Sequence, residues 1–145
     1  MSMTAYYNGL EFRSKLLAHW AAFFDLAGWS WRNNPAPVGD WLPDFSVSFD
    51  CGHSECPEQH HLLVSVLPID TIEGIGGHPA LGHCYMVSDE VGNRLADAGA
   101  VFGRTPFVSR WEMAHGAGGG VESVPNWVND AAEMWRRAGG LVGAS

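Results

Sequence analysis

Apolar residues recur at helical spacing near the start of the chain. Leu16, Trp20, Phe23 and Phe24 fall at i, i+4, i+7 and i+8, and Leu17 and Ala21 widen the stripe. The pattern predicts a deeply packed helix over residues 11–26, with Gly28 as its stop. The period then changes. Trp29-Ser30-Trp31-Arg32-Asn33 alternates and predicts a short strand, after which Pro35, Pro37 and Gly39 mark a turn. Residues 41–49 predict a second strand, with Phe45, Val47 and Phe49 on one face and Asp44, Ser46 and Ser48 on the other. A polar loop over residues 51–61 leads into a strongly apolar third strand over 61–67. The opening order is therefore α-β-β-β.

Beyond Pro68 the patterning is weaker. Residues 69–83 mix glycines with apolar residues and read as loop or a short helix, and residues 84–87 as a short strand. Ser88-Asp89-Glu90-Val91 has the form of a helix N-terminus, with Leu95 and Ala98 continuing the pattern and Gly99 ending it. Strands are expected over 100–102 and over 107–113, where Phe107, Ser109 and Trp111 alternate. Residues 116–120 hold four glycines in five positions and read as a flexible turn. They are not a phosphate loop, because no Lys-Ser/Thr pair follows. A last helix is expected over 125–138, with Pro125 in its first turn and Trp127, Ala131, Met134, Trp135 and Ala138 on its apolar side.

Composition narrows the class. Residues 1–145 fit one domain, and 46% hydrophobic against 17% charged residues excludes disorder. Seven Trp and seven Phe supply large apolar side chains for a core or an interface. Sixteen acidic against eight basic side chains leave a net charge of -8, which disfavours nonspecific duplex binding through neutralised phosphates. An acidic chain suits a basic partner surface, such as one that holds nucleic acid. Three cysteines are an odd count for a secreted disulfide framework, and no apolar leader precedes the first helix. No apolar run approaches the ~18 to 20 residues that span a bilayer. An intracellular, reducing, membrane-free setting is the expectation.

Tyr7-Asn8-Gly9-Leu10-Glu11-Phe12-Arg13-Ser14-Lys15-Leu16-Leu17-Ala18-His19-Trp20-Ala21 resembles the opening of a family of phage and bacterial nuclease-like proteins in the PD-(D/E)xK superfamily. There a helix of the form F-R-S-x-L-E-A-x-W-A carries an acid where this chain has Leu17. Leu42-Pro43-Asp44-Phe45 resembles the family's metal-binding aspartate strand. Leu63-Val64-Ser65-Val66-Leu67-Pro68 resembles its V-E-V-K-P strand, with Ser65 and Leu67 at the Glu and Lys positions. Trp135-Arg136-Arg137-Ala138-Gly139 resembles its closing W-x-x-A-G helix. The resemblance implies an α/β, restriction-endonuclease-like fold, a central mixed sheet flanked by helices.

It also implies a nuclease that has lost most of its chemistry. Cleavage of this type needs carboxylates to hold Mg²⁺ or Mn²⁺ and a lysine to stabilise charge or orient water. Asp44 alone matches, as a vestigial catalytic residue. Leu17 cannot ligate a metal, Ser65 is a neutral and weak ligand, and Leu67 removes the positive charge. Glu11, Asp70 and Glu73 lie close in sequence to the expected positions. On a continuous helix Glu11 is a poor substitute for Leu17, being nearly two turns earlier and on another azimuth. The leading expectation is a catalytically inactive binding or inhibitory module, encoded by a phage or mobile element. Its target would be a host nucleic-acid-handling complex, engaged as an inhibitor or by nucleic-acid mimicry in the sense of shared charge. One alternative is a divergent metal-dependent nuclease using Asp44 and migrated carboxylates. Another is a non-cutting accessory subunit that binds nucleic acid through a small basic patch of Arg13, Lys15 and Arg32.

The segment from Cys51 to His61 packs five soft or borderline ligands into eleven residues. Cys51, Cys56 and His60, with Cys84 returning from afar, form a candidate structural zinc set, and His61 and His83 are substitute donors. The spacer of four between Cys51 and Cys56 is wider than the usual two, and no second Cys-x-x-Cys exists. Nothing in the sequence orders a Cys-His nucleophile pair.

Overall fold

The computed structural model describes residues 4–51, 59–75, 77–83, 86–115 and 118–144. It opens with a hairpin where the first turn of the long helix was expected. Strands β1 (Ala5–Tyr7) and β2 (Leu10–Phe12) pair antiparallel around Asn8 and Gly9, whose φ angles are 52° and 79°. Asn-Gly favours this two-residue turn because both central residues must adopt left-handed backbone. Glu11 and Phe12 are therefore strand residues. Helix α1 (Lys15–Ala27) begins only at Ser14, whose hydroxyl accepts from Leu17 N at 3.2 Å, and stops at Gly28 with φ 78°.

Strands β3 (Ser30–Asn33), β4 (Phe45–Asp50) and β5 (Gln59–Val66) form the expected antiparallel meander, with Trp31 opposite Val47 and Phe45 opposite Val64. The middle strand starts at Phe45 and not at Trp41, because Trp41 turns aside into an isolated bridge with Val38. The chain then leaves the sheet until residue 97. This excursion holds a 3-10 turn (Pro79–Gly82) and a hairpin of β6 (Val87–Ser88) and β7 (Arg94–Ala96). The hairpin replaces the helix expected from Ser88. Asp89 accepts from Val91 N at 3.0 Å and Asn93 N at 2.8 Å, and Gly92 has φ 91°, so the apparent helix cap closes a turn instead.

Strand β8 (Ala98–Phe102) returns parallel to β5, and β9 (Ser109–His115) and β10 (Gly118–Glu122) add antiparallel. Glycines 118–120 are thus strand residues opposite Met113–His115, a correction to the expected flexible turn. The expected final helix is shorter: a 3-10 turn (Val124–Asn126) precedes α2 (Ala131–Gly139), with Asp130 at φ 54° breaking the path between them. Strand β11 (Gly143–Ala144) closes on β1.

The main sheet runs β10-β9-β8-β5-β4-β3, mixed because of its single parallel pair, so the α/β class holds. Trp20, Phe23, Phe24, Phe45, Phe102, Trp111 and Met113 are fully buried in one core between α1, α2 and the sheet. Trp20 is half of a polar anchor as well, its indole N–H donating to Gly103 O at 2.9 Å. A smaller core on the opposite face joins Trp41, Leu63, Val101, Ala80, Val87 and Ala96 beneath the excursion. The molecule is a three-layer stack, helices over sheet over irregular crossover. No described helix is long and apolar enough to cross a membrane.

Gly99 lies at the closest approach of crossover and sheet. A Cβ there would stand 2.3 Å from Ala80 O and 3.0 Å from the Trp41 ring. We expect Gly99→Ala to lower stability by about 1–3 kcal/mol through overpacking against rigid backbone. Gly82→Ala, with open space at its Cβ, serves as the neutral control in the same urea titration.

Asp25 ties the amino-terminal hairpin to the sheet edge: it accepts from the Tyr7 hydroxyl and, at 2.8 Å, from the Trp31 indole. Burial, then the Asp25 hydrogen bond and charge, push the Tyr7 pKa up to about 12. A raised phenol pKa stabilises the fold below the unfolded value near 10 and loses that contribution as pH climbs toward 12. Ultraviolet titration should therefore show Tyr7 ionising late, beside a Tyr6 that Glu11 also raises, with the late component lost in Tyr7→Phe and shifted part of the way back in Asp25→Asn, which leaves the burial in place.

Candidate functional site

Asp44 stands one residue after Pro43, at the mouth of β4, and is buried. Its backbone N–H donates to Val64 O at 2.7 Å. Its side chain joins the same strand end: Oδ2 accepts from Val66 N at 2.7 Å. The other oxygen, Oδ1, is ion-paired and hydrogen-bonded to the Arg13 guanidinium. Arg13 is delivered by the Asn8-Gly9 hairpin and lies immediately before the Ser14 cap of α1. Hairpin, helix start and sheet thus converge on one carboxylate.

The pair divides two adjoining cavities. One, of about 270 Å³, is bounded by Glu11, Arg13, Leu17, Asn33, Asn34 and Asp44 among others. The other, of about 390 Å³, runs from Arg13 and Asp44 to Pro35, Leu42 and Pro43. Leu17 and Asp44 border one cavity. Ser65 and Leu67 flank Val66, which grips Asp44, yet their side chains go elsewhere. The Ser65 hydroxyl is buried and accepts from the Trp41 indole at 2.8 Å, and Leu67 packs on the crossover core.

The structure corrects the placement of Glu11. Because residues 10–12 form a strand, Glu11 borders the same cavity as Asp44, and it accepts from the Tyr6 hydroxyl at 2.7 Å. Asp70 and Glu73 do not join them. Asp70 is 84% exposed and 3.4 Å from Arg104, and Glu73 is exposed in the excursion. Of the predicted basic patch, Arg13 borders both cavities, while Lys15 and Arg32 are exposed on α1 and β3 and border neither among the described residues.

The patterning gives no hint of His78. Its Nδ1 accepts from Ala80 N at 3.1 Å and caps the 3-10 turn. Burial lowers its pKa while the Asp44 charge opposes that shift, so His78 lies within the electrostatic surroundings of Asp44. Asn33 and Asn34 were also not singled out. Asn34 has φ 51°, a left-handed conformation at the start of the turn marked by Pro35, Pro37 and Gly39.

A divalent ion of the Mg²⁺ or Mn²⁺ type wants several hard oxygens, more than one of them anionic. Here one carboxylate has both oxygens engaged, the facing helix position is Leu17, and Glu11 sits at the cavity wall with a tyrosine on it. That donor set does not fit such an ion. Among the described residues no group of three or more His, Cys, Asp or Glu is arranged to hold a metal. Two of the four candidate zinc ligands, Cys56 and Cys84, lie outside the described residues. Cys51 and His60 are both buried, the thiol free and the imidazole packed between Phe49 and Trp127 with Nδ1 3.4 Å from Asp97. Asp97 also pairs with Arg94 and accepts from His61 N at 2.7 Å, tying the end of the crossover to β5.

If Asp44 completes the sheet, removing it should cost stability. Asp44→Ala strands the half-buried Val66 N–H and releases Arg13, an expected loss of about 1–3 kcal/mol in chemical denaturation. Asp44→Asn keeps an acceptor for Val66 and should lose less. Arg13→Ala should lose least, since 65% of that side chain is in solvent. Compared with known proteins, the chain matches no family model, no curated sequence and no solved structure, so what the site does has to be argued from its own residues.

Proposed function

We propose that this chain is a non-cutting binding module built on a restriction-endonuclease-like scaffold. The observation that carries the reading is the state of Asp44, whose two oxygens serve Arg13 and Val66 N while Leu17 faces it across the cavity. A guanidinium stands where a working site of that resemblance would need a metal ion, and the position for a catalytic lysine is Leu67, packed in the crossover core. The α1-β3-β4-β5 order and the parallel return of β8 support the scaffold, and the hairpin within the crossover departs from it. The net charge of -8 favours a basic partner, such as a host complex that handles nucleic acid, met as an inhibitor or mimic encoded by a phage or mobile element.

Glu11 favours a second reading. A strand-borne carboxylate bordering the Asp44 cavity is the kind of migrated ligand a divergent nuclease would use, provided Arg13 released Asp44. Incubating the protein with single- and double-stranded DNA and RNA in Mg²⁺ or Mn²⁺ separates the two. The expected result is no metal-dependent cleavage, with wild type indistinguishable from Asp44→Ala. Cleavage that disappears in Asp44→Ala and in Glu11→Gln would overturn the first reading and establish the second. Strong salt-sensitive DNA binding without cleavage would instead identify a nucleic-acid-binding accessory subunit.

A further inference from the structure

The turn at residues 37–39 and the β6–β7 hairpin enclose a groove of about 480 Å³ on the crossover side of the molecule. Its apolar surface comes from Pro37, Val38, Val91 and Leu95, and its charges from Asp89 and Glu90. Val91 is 82% exposed and Leu95 is 44% exposed, large values for branched aliphatic residues side by side on one hairpin. Among the described residues no basic side chain borders the groove, and the nearest in the hairpin, Arg94, is held by Asp97. Asp40 follows Gly39 directly and is exposed, adding to the same sign.

The hairpin is built to present this surface. Asp89 closes its turn with three hydrogen bonds, from Val91 N, Asn93 N and the Asn93 side chain at 2.9 Å. Those bonds fix the carboxylate as an anion beside Val91, and Val87 and Ala96 root the hairpin in the crossover core. An apolar floor with only acidic charges around it is complementary to an extended segment that alternates aliphatic and basic side chains. Aliphatic anchors would bury against Val38, Val91 and Leu95, and lysine or arginine would meet Asp89 and Glu90.

We propose that this groove docks a lysine- or arginine-rich segment of a partner protein through apolar anchors, an assignment that rests on the chain being a binding module. The test titrates the full chain with a synthetic peptide alternating Lys and Leu, and with a matched peptide alternating Glu and Leu, followed by amide chemical shifts and calorimetry. The Lys-Leu peptide is expected to shift amides at 38–39 and 88–95, while the Glu-Leu peptide does not. Val91→Asp and Glu90→Lys, both at exposed positions, should each weaken binding by about tenfold, whereas Glu73→Lys leaves it unchanged. Shifts confined to another face, or equal weakening by Glu73→Lys, would overturn the proposal by reducing it to net charge. Shifts that grow with protein concentration in the absence of peptide would overturn it in favour of a second copy of this chain. Metal-dependent cleavage would defeat the reading of the Asp44 site without moving the peptide's footprint, so the two failures are distinct.

Discussion

The carboxylate of Asp44 is the joint between three parts of the molecule. At the start of β4 the carboxylate itself accepts from Val66 N on β5, while Arg13 covers its other oxygen. Arg13 is held there by the Asn8-Gly9 turn on one side and the Ser14 cap on the other. A carboxylate taken out of water is costly unless it is paired and hydrogen-bonded, and this one has both. Such a group is fully employed by the fold, which is why the same geometry argues against its free use as a metal ligand.

The second constraint is the parallel pairing of β5 and β8. Parallel neighbours need a crossover, and here it is made without an α-helix, from a 3-10 turn and a two-stranded hairpin. Irregular backbone can pack on a sheet only where it comes close, and Gly99 grants that approach by leaving room for the Ala80 carbonyl. The small core around Trp41, Leu63 and Val101 follows from it, and so does the position of the Val91 hairpin at the surface. A compact crossover core and an exposed aliphatic hairpin are two results of one topology.

The Asp44 cavity and the hairpin groove divide along the same two faces. On one lies a polar cavity whose acid is neutralised by arginine, with Glu11 at its wall. On the other lies an aliphatic groove whose fixed charges are all negative among the described residues. Neither arrangement resembles a place where phosphate would be welcome, and the excess of acidic over basic side chains points the same way. Recognition of a basic protein surface is the role proposed on these grounds.

Strong periodicity made the central elements legible from the chain alone. The stripe of Leu16, Trp20, Phe23 and Phe24, the alternation of Phe45, Val47 and Phe49, and the stop at Gly28 each depend on local spacing, and each has its place in the structure. Asn8-Gly9 was equally local and is the residue pair that reassigns Glu11 from helix to strand; the helical stripe beginning at Leu16 obscured it. Ser88-Asp89 offered a helix cap and an Asx turn with the same residues, and only Gly92 and the packing of Val87 and Ala96 decided for the turn. Asp44, Leu17, Ser65 and Leu67 could be picked out as positions by sequence, but not their partners. That Arg13 lies on Asp44, that Trp41 takes the Ser65 hydroxyl, and that Val91 and Val38 line one groove are relations between residues far apart in the chain. Such contacts exist only after the layers pack, because no local pattern encodes which distant side chain will fill a given space.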